Sequence, residues 1–140
     1  MAPPPRRDRS APLRDLYPQI TSFANLHAAA LNAQRGKRFR PAVLAFNAQL
    51  EAHLFQLQHD LRSFSYTPGP YRQFEIRDPK RRLISAAPYR DRVVHHALCA
   101  ALVPPLQARF PPTSYANRRG YGSHKALRRF VLECGRNRWV

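Results

Sequence analysis

Acidic side chains are scarce in this chain. Asp and Glu total 8 against 24 Lys and Arg, a formal charge of +16 over 140 residues. That imbalance excludes an indifferent globular surface and favours a partner that carries phosphate. Arg far outnumbers Lys, and a planar guanidinium fork matches phosphate oxygens in pairs. A genome favouring Arg codons accounts for Arg over Lys, but not for the missing acids. The carboxylates present are Asp8, Asp15, Glu51, Asp60, Glu75, Asp78, Asp91 and Glu133, and they fall at predicted caps, turns and exposed helix faces. No two share an apolar strand, so a site for two-metal phosphoryl transfer is not legible. Cysteine is nearly absent. Cys99 and Cys134 lie in helical patterns and read as small buried apolar residues; two such thiols make no disulfide framework and fit a cytoplasmic location. No apolar run approaches the roughly 18 residues that span a bilayer, so no membrane partner is expected. The first residues, Met-Ala-Pro-Pro-Pro-Arg-Arg, have no apolar segment behind them and are not a secretory signal. A nucleophile elbow and a Walker loop are likewise missing.

What is present is a 44% hydrophobic chain of one domain's length. Residues 1–14 read as a disordered Pro- and Arg-rich tail. Residues 15–70 read as a helical amino-terminal extension. Ser22 caps a first helix running to Arg35, with Phe23, Leu26, Ala30 and Leu31 on one stripe and Gly36 at its end, where Arg35 and Lys37 suit the negative helix terminus. Pro41 opens a second, continuous helix, whose stripe is Val43, Phe46, Leu50, Leu54, Leu57, Leu61 and Phe64. Thr67-Pro68-Gly69-Pro70 ends it. From residue 71, Phe74 and Ile76 alternate with polar neighbours as in a half-buried strand. Asp78-Pro79 makes a turn, and Leu83-Ile84 returns. A helix from Pro88 runs to about Val103 and stops at Pro104-Pro105. Residues 106–121 are irregular. A last helix starts at Gly122 or Ser123 and ends at Gly135, with a strand beginning near Arg138-Trp139-Val140. The fold class is therefore α+β.

Charge concentrates in the second half. Residues 71–96 hold seven basic and three acidic side chains, and residues 106–140 hold eight and one. Lys80, Arg81 and Arg82 form a basic hairpin tip able to reach over a triphosphate; a solvated turn is the plain alternative. Asp91 reads as a structural charge at a helix start, paired with a neighbouring Arg, and Arg92 as either its partner or a phosphate contact. His95, His96 and Cys99 share a helix face at ligand spacing, but without a Cys-x-x-Cys or His-Glu-x-x-His pattern they read as packing residues rather than a zinc site. In Ser114–Leu127 a Gly-punctuated loop opens a helix. Arg118 and Arg119 beside helix amides make a phosphate seat, and Tyr115 and Tyr121 could stack on bases; a plain connecting loop is the alternative.

Three blocks in order, Phe74–Pro88, Arg90–Leu98 and Ser114–Leu127, resemble the fingers of bacterial reverse transcriptases. The nearest likeness is to those of diversity-generating retroelements, with group II intron and retron enzymes behind them. The resemblance covers residues 15–140. It implies that residues 71–140 are part of a fingers subdomain of a right-hand, RNA-directed DNA polymerase. Lys80, Arg81 and Arg82 would contact the incoming deoxynucleoside triphosphate. Arg92, Arg118, Arg119 and Lys125 would contact the nucleic acid. Implied partners are an RNA template, an RNA/DNA duplex and a small accessory protein. The implied reaction is Mg²⁺-dependent attack of a primer 3′-hydroxyl on an α-phosphate. The family's metal-binding Asp residues would follow Trp139-Val140, so these 140 residues are expected to be a fragment that holds no metal and does not polymerise alone. The alternative function is a non-catalytic RNA-binding or ribonucleoprotein module using the same basic surface.

Overall fold

The computed structural model describes residues 14–118 and 120–136. Within them lie six helices and one antiparallel hairpin: α1 (Leu16–Ile20), α2 (Phe23–Ala33), α3 (Pro41–Ala48), α4 (Leu50–Arg62), β1 (Arg72–Arg77), β2 (Arg81–Ala86), α5 (Tyr89–Arg109) and α6 (Ser123–Arg136). The architecture is mixed α+β. The chain divides into two compact units, one of Leu13–Val103 and one containing the residues from Pro104 on. The disordered-tail expectation for residues 1–13 and the strand expected at 138–140 lie outside the described residues.

The first unit has a helical core. Leu26, Ala29, Ala30 and Ala33 of α2 meet Val43 and Phe46 of α3, Leu54, Leu57 and Leu61 of α4, and Tyr89, Val93 and Ala97 of α5. These positions recur every three or four residues, which places one face of each helix inward. Each buried Leu contributes about 1.5–3 kcal/mol through water removal. Ser22 caps α2 as expected, its Oγ accepting from the Asn25 N–H at 3.3 Å. Asn25 Nδ2 donates to the carbonyls of Ile20 and Ala97, both at 3.1 Å, and so ties α2 to α5. The Tyr89 hydroxyl donates to Ala30 O at 2.9 Å.

Several expectations are corrected. The stripe from Pro41 to Phe64 is two helices, because Gln49 (φ −131°, ψ 46°) leaves the helical region and serves as the end of α3 and the start of α4. The break does not cost burial, since each piece turns its own apolar face to the core. Phe64 falls beyond α4 in the left-handed region (φ 56°), is 81% exposed and stacks on Tyr17 at 5.3 Å. Pro104 and Pro105 do not stop α5, which continues to Arg109. Proline's fixed φ is itself helical, so the cost lies in two absent N–H donors and local crowding rather than in a forced exit. Gly135 likewise lies inside α6 rather than after it. Both cysteines are exposed rather than buried, since the helix faces that carry them meet no core.

The hairpin is formed as expected, but it is not half-buried. Every residue of β1 is exposed, and no residue of 72–86 belongs to the core. A two-stranded sheet has two open faces, and the helices supply one another's apolar partners without it.

Candidate nucleic-acid interface

The hairpin register decides where its cations point. Phe74 pairs with Ile84, Ile76 with Arg82, Glu75 with Leu83 and Arg77 with Arg81. Directly opposed residues share a face, and successive residues alternate. Arg82 therefore stands on the face of Phe74, Ile76 and Ile84, while Arg81 stands on the opposite face beside Arg77 and Glu75. The Arg81 guanidinium grips the Glu75 carboxylate through two nitrogens, with Nε to Oε2 at 2.8 Å. That pair offsets the repulsion of Arg77 and Arg81 set directly opposite each other. Among the described residues the side chains of Lys80 and Arg82 engage no partner. The three tip cations thus divide into one that is committed and two that are available. Alternation alone could have separated Arg81 from Arg82; the ion pair with Glu75 needed the register.

Asp91 lies in the first turn of α5, as expected of a charge at a helix start, but it is 2% exposed rather than on an open face, and its bonded partners are not a neighbouring Arg. It accepts from the Tyr66 hydroxyl at 2.6 Å and the Gly69 N–H at 2.8 Å. A Cβ on Gly69 would lie 2.9 Å from Pro88 Cγ, so glycine alone lets the linker come this close. Burial, and next the hydrogen bond to Asp91, push the Tyr66 hydroxyl well above its ordinary range. Burial also raises Tyr89. Arg90 instead pairs with Asp60, donates to Thr67 O at 3.3 Å and lies 4.9 Å over the Tyr66 ring. Arg92 is 5.5 Å from the Tyr89 ring centre, and its buried Nε has no hydrogen-bond partner among the described residues. It is not bound to Asp91, so of its two expected roles the structural one is filled by Tyr66 and Gly69. His95, His96 and Cys99 are exposed on α5.

The second unit carries the other basic site. Asn117, Gly120 and Gly122 take positive φ values of 52°, 76° and 151° and fold the loop before α6. The Gly122 carbonyl accepts the first α6 amide bonds, from Lys125 and Ala126. Arg118 and Lys125 both lie over the Tyr121 ring, at 4.0 and 4.1 Å. Arg118 also donates to Pro111 O at 3.1 Å and Lys125 to Gly120 O at 3.3 Å. The ring's negative π cloud attracts both charges, near a helix start that itself favours anions. Tyr121 therefore serves as an anchor for two cations. Tyr115 lies 5.9 Å from it, and the two rings, Arg118 and Ser123 line a concave surface of about 670 Å³. Arg119 lies outside the described residues.

No family model matches this chain, and no curated protein matches it.

The Mg²⁺ implied by the resemblance does not fit the carboxylates described. Asp60 is taken by Arg90 and Gln56, Asp91 by Tyr66 and Gly69, and Glu75 by Arg81. Among the described residues no three His, Cys, Asp or Glu side chains converge. No helix there is long and apolar enough to cross a membrane. One basic segment was missed as a site in the sequence: the α2–α3 connection, where Arg35, Lys37, Arg38 and Arg40 surround an exposed Phe39. Four cations in six residues, with no acid between Leu16 and Leu50, was the available signal.

Proposed function

We propose that this chain is the fingers part of an RNA-directed DNA polymerase, gripping the template strand and the triphosphate of an incoming nucleotide. The observation that carries the reading is the exposed hairpin with two uncommitted cations, Lys80 at the tip and Arg82 beside an apolar ladder. A ladder of exposed Phe74 and Ile76 with half-buried Ile84, next to a free guanidinium, suits a ligand with an apolar ring and a polyphosphate tail. Arg118 and Lys125, held together by Tyr121, would take backbone phosphates of the template. In this reading the metal-binding carboxylates belong to another part of the polymerase. A small accessory protein remains a proposed partner by the same resemblance.

The test is a binding titration with a deoxynucleoside triphosphate and the matching monophosphate, at low salt. Lys80→Gln with Arg82→Gln should weaken the triphosphate at least tenfold and leave the monophosphate nearly unchanged. Arg81→Gln should do less, since its charge is already matched. Equal binding of both nucleotides, or indifference to the double variant, would overturn the nucleotide claim. For the template, Arg118→Gln and Lys125→Gln should each lower the slope of log affinity against log salt by about 0.7 for a single strand.

A second reading, a non-catalytic RNA-binding module, is favoured by one observation: the carboxylates of Asp60, Glu75 and Asp91 are all engaged by protein partners. It expects the salt response without any preference for the triphosphate.

A further inference from the structure

The connection from α2 to α3 combines features that local stability does not ask for. Arg35 and Lys37 near the end of α2 complement its negative terminus. Arg40 does the reverse. It is the N-cap residue of α3, makes no side-chain cap bond, and no acid occupies the first turn. A cation there opposes the helix dipole. Between them Phe39 is 84% exposed, and Leu31 beside it is 46% exposed. None of the four cationic side chains has a hydrogen-bond or ion-pair partner among the described residues. The backbone is nevertheless pinned: Lys37 N–H donates to Gln34 O at 2.8 Å and Arg40 N–H to Lys37 O at 3.0 Å. Gly36 (φ 68°) permits the reversal. Together these residues line a concave surface of about 780 Å³. Uncompensated breaches of local rules on an ordered loop mark a surface shaped for a ligand.

We infer that this loop is a separate binding site for single-stranded nucleic acid, in which Phe39 stacks on an unpaired base while Arg35, Lys37, Arg38 and Arg40 hold the flanking phosphates. An exposed aromatic among cations is what a single strand requires, because each unpaired base offers a flat apolar face between charged linkages. A duplex hides those faces, and an acidic peptide lacks the regular alternation of flat faces and charges. The site uses none of the residues of the hairpin or of the α6 loop and does not depend on the polymerase reading.

The experiment uses the full chain and fluorescence anisotropy with a labelled 12-nucleotide single-stranded RNA, the same sequence as a duplex, and polyglutamate of matching charge. Phe39→Ala should weaken the single strand about 5- to 150-fold, in keeping with the loss of one stacked base, without changing the salt slope. Arg38→Gln with Arg40→Gln should lower that slope by about 1.4. Circular dichroism should show both variants folded, since none of these side chains is buried. An unchanged affinity for Phe39→Ala would overturn the inference, as would an equal loss for the duplex. Polyglutamate binding as tightly, with the same dependence on Phe39, would assign the surface to an acidic protein instead and also overturn it. Failure here with intact effects of Lys80→Gln and Arg118→Gln would leave the polymerase reading standing; the opposite pattern would remove that reading and keep this site.

Discussion

Asp91 shows how one buried carboxylate can be stable without a cation. Its two oxygens accept from a phenol and a backbone amide, and bonds to a charged acceptor are the stronger kind. Tyr66→Phe should therefore cost about 1.5–3 kcal/mol, read as a lower urea midpoint. The same residue sets an alkaline limit. The Tyr66 and Tyr89 hydroxyls are raised above the ordinary value of 10.0 in the fold, so above that pH the unfolded chain ionises first. Their contribution is complete below about pH 10 and is lost as pH rises further. Between pH 8 and 11 the urea midpoint should fall, and fall less steeply in Tyr66→Phe; identical slopes would contradict this. Local chemistry made the Ser22 cap and the Asp78-Pro79 turn legible in the sequence. The role of Asp91 was not legible, because its partners lie over twenty residues away and neither is charged.

Elements were legible where periodicity and punctuation agreed. The hairpin between Arg72 and Ala86 and the start of α6 follow from alternation and from Gly122. The break at Gln49 carried no signal, since glutamine suits a helix interior. Pro104-Pro105 carried a signal that the fold overrode. Those prolines leave two carbonyls of α5 without their helical donors, at a cost of roughly 3 kcal/mol for each proline in an interior. Replacing both by Ala should slow amide hydrogen exchange over residues 100–109 and raise the helical circular dichroism signal. Unchanged exchange would mean that those carbonyls are already satisfied elsewhere.

Over the molecule as a whole, the scarcity of acids was the most legible property and the covering of apolar faces the least. A stripe shows that a face is apolar, not that anything meets it. The stripe of α4 is buried, whereas Leu127, Phe130 and Val131 of α6 are 59%, 54% and 60% exposed. An uncovered strip of that kind promotes association. Replacing these three by Gln, Gln and Thr should raise the concentration at which light scattering still reports a monomer. The salt slope for RNA should stay unchanged, because Arg118 and Lys125 are untouched.

The clasp of Asp91 on Tyr66 and Gly69 has a consequence for how such a molecule can vary over time. The chain leaves the helices near Gly69, whose N–H is fastened to the Asp91 carboxylate, and returns at Pro88, which packs closely against Gly69. Whatever lies between them is a cassette hung from a closed clip. Lengthening it costs little, since each doubling of a loop adds only about 0.6 kcal/mol of closure entropy. The tip can therefore be rewritten, extended or exchanged for another ligand's needs while Leu26, Leu54 and Val93 keep their neighbours. The helical body and its attachment could thus be inherited together while the reaching part is free to change.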